Sequence, residues 1–138
     1  MIEVQAVVDQ ISKNLISKDY LVAIAREQIP DLDVKAVYVA YATITPQKLP
    51  NPFDNALLNY HAENMLQSFD ITFVTPVSDF ISIWTDVFKT LNRWEPLSSE
   101  YNATGFIKAE GGKIGLANGN IHWLDRWMYA FPTVNVNL

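Results

Sequence analysis

The sequence predicts one α+β domain spanning residues 1–138, a single mostly antiparallel sheet with helices packed on one face. Three observations carry this. An alternating stretch from Asn64 stops at Pro76 and passes straight into an amphipathic segment ending near Trp94. An Asn118-Gly119 pair separates two further strand-like runs, the strongest short-range hairpin signal because both central turn residues need positive φ. The chain opens on apolar residues at helical rather than alternating spacing.

Taken in order, Val4, Val7, Val8, Ile11 and Leu15 share one helical face, with Glu3, Asp9, Gln10, Lys13 and Asn14 on others. Asp19 is placed to cap a second short helix carrying Leu21, Ile24 and Ala25 and ended by Pro30, although Tyr20 to Ala25 also reads as a short buried strand. From Val34 to Thr45 β-branched, aromatic and small residues predict a strand, with Val37, Val39, Tyr41 and Thr43 on one face and Tyr38, Ala40 and Ile44 on the other. Pro46, Pro50 and Pro52 with Asn51, Asp54 and Asn55 predict a loop through Asn59 that holds Phe53, Leu57 and Leu58.

Met65, Gln67, Phe69, Ile71 and Phe73 then alternate with Leu66, Ser68, Asp70, Thr72 and Val74, which predicts a strand with an apolar inner face and a polar outer one. After Pro76, Ser78 is the expected N-cap, and Asp79 sits favourably at the positive end of the helix dipole. Phe80, Ile83, Trp84, Val87, Phe88 and Leu91 form the buried stripe, and Glu95 with Pro96 end the helix. The remainder predicts two or three strands from Ala103 to Phe131. Trp123 and Trp127 share a face with Asp125, and Thr133 to Leu138 alternates once more beyond Pro132, able to add an edge strand.

Composition narrows function. A net charge of −5, from ten basic and fifteen acidic residues, gives no basic stripe for gripping nucleic acid. The absence of cysteine excludes disulfides, thiolate nucleophiles and cysteine-ligated zinc. Only 18% of residues are charged, so the polar surface rests on Asn, Gln, Ser and Thr, which suits burial against other subunits. No basic segment followed by an apolar run marks a signal peptide, and no apolar run approaches the roughly 20 residues that span a bilayer. A protein free in the compartment where it is made is expected.

No residue cluster prescribes a reaction. His61 with Glu63, and His122 with Asp125, lack the convergent partners of a metal or acid–base site. Asp31 and Asp33 lack the further oxygens of a calcium loop. Ser78-Asp79 is explained by capping, and Gly111, Gly112, Gly115 and Gly119 by turn chemistry, since no Gly-Lys-Ser/Thr follows. Of the four tryptophans, Trp84 belongs to the buried helix stripe; Trp123 and Trp127 either pack inward or form a stacking platform. Neither a catalytic residue, a metal nor a cofactor is expected.

The order of elements, with Thr75-Pro76-Val77-Ser78-Asp79 at the strand–helix junction, Leu91-Asn92-Arg93-Trp94-Glu95-Pro96 at the helix exit and the closing run Trp123-x-x-Arg126-Trp127-x-Tyr129-x-Phe131, resembles the tail terminator proteins of long-tailed bacteriophages. The resemblance covers most of the chain. It implies a non-enzymatic virion protein at the junction of tail and neck, assembled in the host cytoplasm. Six copies would form a ring on the finished tail tube, stop its polymerisation and present a docking surface to the head connector and, in contractile tails, to the last sheath layer. DNA would only pass through the lumen, and no membrane is involved. The segments suited to subunit and tube contacts are the loop with Phe53, Leu57 and Tyr60, the tip with Lys113 and Asn118, and the tail with Val134, Val136 and Leu138. The alternatives are another phage neck or head-completion protein, a monomeric binding module using Trp123 and Trp127, and a small hydrolase or isomerase using Asp70, His61 or His122.

Overall fold

A computed structural model of the chain describes residues 1–25, 34–46, 60–97 and 104–136. Helix α1 (Val4–Asn14) buries Val4, Val7, Val8 and Ile11, the expected stripe, and ends with the Leu15 N–H donating to the Ile11 carbonyl. Strands β1 (Leu21–Ile24), β2 (Ala36–Pro46) and β3 (Tyr60–Pro76) follow, then helix α2 (Val77–Leu91) and strands β4 (Ile107–Ala117) and β5 (Asn120–Val136). The five strands form one sheet in the order β1-β2-β3-β5-β4, antiparallel throughout except for the β1–β2 pair. The α+β architecture read from the sequence holds.

Both described helices lie on one face. Val37 and Val39 of β2, Phe69, Ile71 and Phe73 of β3, and Trp127 and Tyr129 of β5 are all buried there against α1 and α2. Phe80, Trp84 and Phe88 pack half-buried beside the fully engaged Ile83, Val87 and Leu91 of α2. Rings of Tyr41, Phe69, Phe106, Tyr129 and Phe131 run in consecutive contact across the sheet, with centroids 5.1–5.9 Å apart. Such spacing adds to the burial each ring already contributes.

Several expectations need correction. The segment after Asp19 is strand β1, not a helix. Its backbone finds a ladder along β2, from the Leu21 N–H to the Lys35 carbonyl through the Ala25 N–H to the Val39 carbonyl. It is also an edge, with Leu21 and Ile24 exposed rather than buried. In β2 a register shift between Tyr41 and Thr43 inserts one residue, so Tyr41 pairs with Phe69 while Thr43 turns to the opposite face and meets the Ser68 hydroxyl at 3.2 Å. A bulge reverses the alternation beyond it, and strict alternation does not foresee it.

Helix α2 starts two residues early, with Pro76 at the N-cap position and no side-chain cap, so Ser78 sits exposed in the first turn. The ring's fixed φ of −56° both ends the strand and aims the chain into the helix. The helix ends at Leu91, before Glu95 and Pro96, because Arg93 takes a left-handed φ of 65°. Gly111, Gly112 and Gly115 are not turn residues: β4 runs through all three, and only Gly119 (φ 79°) turns the chain, together with Asn118 (φ 51°).

The C-terminal run is likewise not an edge strand of its own. Val134 and Val136 continue β5 and pair with Ala62 and Tyr60 of β3. Pro132 is tolerated inside β5 because the last β4 pair is Ile107 with Met128, which leaves one side of β5 without a described ladder at Pro132. The sheet face away from the helices is only partly polar. Ala36, Tyr38 and Val74 form a second small buried cluster there, with Ala23 and Ala25 against it.

Candidate interaction surfaces and their internal anchors

Among the described residues no three or more His, Cys, Asp or Glu side chains gather where they could hold a metal ion, and no helix is long and apolar enough to cross a membrane. Several polar side chains inside the fold are engaged with one another, although the Trp127 indole N–H is buried with no hydrogen-bond partner among the described residues. Asp125 is 1% exposed and accepts the indole N–H of Trp84 from α2 and of Trp123 from β5, each at 2.7 Å. The Lys108 ammonium of β4 stands 3.7 Å from the same carboxylate. One buried anion thus ties α2, β4 and β5 together, with its charge compensated and its lone pairs used. Gly111 is dictated by this contact, since a Cβ there would lie 2.0 Å from Asp125 Oδ1.

A second anchor holds the start of the chain. Gln67, fully buried, accepts the Ile2 N–H at 3.0 Å through Oε1 and donates Nε2 to the Ile2 carbonyl at 2.8 Å. Tyr129 also accepts that N–H and donates its hydroxyl proton to Gln67, while the Tyr41 hydroxyl donates to the Ile2 carbonyl. A side-chain amide here does the work of a neighbouring strand.

On the far face Arg126 grips Asp70 with two hydrogen bonds of 2.9 and 3.2 Å and stands 3.6 Å from Glu110. The hydrogen bonds that Arg126 donates to Asp70, with the charge of that carboxylate, hold the guanidinium pKa above its ordinary value. Asp70 is therefore committed to a structural pair. His122, half-buried, faces that side from the Val74 register position, and its Nε2 is buried with no hydrogen-bond partner among the described residues. At the β1 end the Tyr20 hydroxyl donates to Asp79 at 3.2 Å, and Lys35 reaches the same carboxylate at 3.6 Å. Burial pushes the Tyr20 phenol upward, opposed by a Thr75 hydrogen bond and assisted by the neighbouring Asp79 charge.

The tryptophans do not form a platform. Trp127 is 1% exposed, and Trp123 is half-buried against Phe80 with its N–H spent on Asp125. The residues expected at subunit contacts fall into three groups. Phe53, Leu57 and Leu138 lie outside the described residues. Tyr60, Val134 and Val136 come together at one end, where β3 and β5 run on as a two-stranded ribbon past the last β2 pair at Met65 and the last β4 pair at Met128. Lys113 lies in β4 opposite Trp123, and Asn118 is exposed in the β4–β5 turn at the other end.

Sequence reasoning missed the exposed apolar side chains of the edge strand, Ile107, Ile114 and Leu116, and those of the first turns of α2, Val77 and Ile81. It also missed all three anchors, which join residues far apart in the chain and leave no local pattern. No protein-family model matches the chain, and no curated protein matches it.

Proposed function

We propose that the chain is a phage tail terminator, a ring-forming structural protein and not an enzyme, which caps the tail tube, stops its growth and offers the head connector a docking surface. One observation supports this most directly. The sheet ends in two dissimilar surfaces, a β3–β5 ribbon with Tyr60, Val134 and Val136 at one end, and the edge strand β4 with its exposed Ile107, Ile114 and Leu116 leading to the Asn118 turn at the other. A ring closes through heterologous contacts, which require unlike patches on each copy. Of the side chains that would serve a hydrolase, Asp70 is already held by Arg126.

On this reading the partners are other copies of the chain in a ring of six, the tube protein, the head–tail connector and the terminal sheath layer where one exists. The protein would reside at the tail–neck junction of the virion after assembly in the host cytoplasm. DNA passes through the lumen without being held, in keeping with the net charge of −5. The test combines light scattering with a tube assay. A ring, or a monomer that closes on tube ends, together with tubes of capped length is the expected result. A species that leaves tube growth unaltered would overturn the assignment, and a ring that does so would transfer it to another neck or head-completion protein.

A further inference from the structure

The exit of α2 carries a feature that the ring does not require. Arg93 adopts φ 65°, a left-handed conformation at which glycine is favoured and a side chain is strained. Its backbone is fixed there from two directions: the Arg93 N–H donates to the Phe106 carbonyl and the Phe106 N–H to the Trp94 carbonyl, both at 2.8 Å. Gly105 closes the joint, since a Cβ at that position would lie 2.8 Å from the Arg93 carbonyl oxygen. An arginine kept where the backbone prefers glycine points to a use for its side chain.

That side chain is exposed and has no ion pair among the described residues, whereas Arg126 is bound to two carboxylates. It borders a cavity of about 340 Å³ lined by Leu66, Phe106, Ile107, Met128 and Ala130. The volume lies at the small end of the range for ligand pockets, roughly 300–1,000 Å³. Glu95 stands on the same rim, so a free inorganic anion would meet a like charge as well as the guanidinium. An apolar side chain with its own carboxylate to one side avoids that conflict, filling the cavity and setting the acid on Arg93 only.

We propose that this cavity is a docking pocket for an extended segment of a partner protein, which inserts one large apolar side chain between Leu66, Ile107 and Met128 and places an adjacent carboxylate on Arg93.

The probe is the capped dipeptide acetyl-Asp-Phe-amide, and the readout is the methyl resonance of Met128 in protein labelled at its three methionines, a signal that survives in a large assembly. Saturable movement of the Met128 methyl is expected, with Met65 and Met1 as internal controls. Acetyl-Lys-Phe-amide, acetyl-Asp-Ala-amide and sodium acetate should each bind about fivefold more weakly or worse, the scale of one exposed charge pair. In Arg93→Gly the response to acetyl-Asp-Phe-amide should weaken to that of the lysine probe, while the urea midpoint stays equal or rises because the strained position is relieved. Absence of saturable movement, equal binding of the lysine probe, or undiminished binding by a folded Arg93→Gly would each overturn the proposal.

Discussion

Asp125 and Gly111 constrain each other across the β4–β5 pair. With the carboxylate filling the space over Gly111, a methyl group there must displace a charge that two indoles and an ammonium hold in place. Gly111→Ala should therefore destabilise the fold by about 1–3 kcal/mol, the range for overpacking. Asp125→Ala should lose about 3 kcal/mol, because it leaves both indole N–H groups and the Lys108 charge without their acceptor. The double variant makes the sharper test, since with the carboxylate gone the added methyl should do little further harm. Urea unfolding of the four proteins measures this, and additive losses would show that the two positions do not compete for one space.

Tyr20 supplies a pH dependence at the same scale. Its phenol titrates above the ordinary value near 10 in the folded state, mainly through burial. As pH rises past 10 the unfolded chain gives up this proton before the folded one does. The folded state then holds more protons, so stability present below pH 10 falls as pH climbs through the folded value. Tyr20→Phe should flatten that alkaline decline. Chemical unfolding of both proteins between pH 8 and pH 11 would check it, with identical slopes counting against the assignment.

At the scale of the element, the strand–helix junction was legible because its signals are local. Phe69, Ile71 and Phe73 alternate, Pro76 interrupts, and Ile83, Val87 and Leu91 recur at helical spacing. The Asn118-Gly119 turn was legible for the same reason, as its positive φ angles are a property of two adjacent residues. Strand β1 was open to either reading because four apolar residues carry no distinguishing period, and only the edge of β2 decides it. Gly111 was misread because its cause, the Asp125 carboxylate, lies on another strand, whereas a Cβ at Gly112 or Gly115 would meet nothing within 4 Å. The subunit surfaces were legible only as segments: the tail residues Val134 and Val136 prove to belong to an internal ladder, and the exposed Ile107, Ile114 and Leu116 stand out only once β4 is known to be an edge.

The Ile2 clamp gives a further prediction at this level. Gln67→Leu keeps the apolar bulk but removes one partner from each Ile2 peptide group, leaving the Tyr129 and Tyr41 hydroxyls, and takes one acceptor from Tyr129. A loss of about 2 kcal/mol is expected, with faster amide exchange at Ile2 and little change at the α2 exit. Uniformly faster exchange across the sheet would mean that Gln67 supports the whole core rather than the N-terminal segment.

For the whole molecule, the ribbon and the β4 edge divide the labour of assembly under the proposed function. Deleting residues 134–138 removes the β5 partners of Tyr60, His61 and Ala62 but leaves the pairing from Glu63 inward, where the core lies. A folded protein of smaller oligomeric mass is expected by light scattering and circular dichroism. Unchanged mass would place the subunit contact elsewhere, at β4 or in segments outside the described residues.

The pairing of β3 with β5 also has a consequence in time. β3 occupies the middle of the sheet, yet the positions it pairs with range from Asn120, opposite Pro76, to Val136, opposite Tyr60. During synthesis this central strand leaves the ribosome well before β5 exists, with β2 the one neighbouring strand already made on its flank. Closure of such distant pairs is slow, on a scale of milliseconds to seconds for β-rich topologies. In that interval one flank of β3 stays open, and a nascent chain crowded among identical copies is most prone to pair with a neighbour instead of itself.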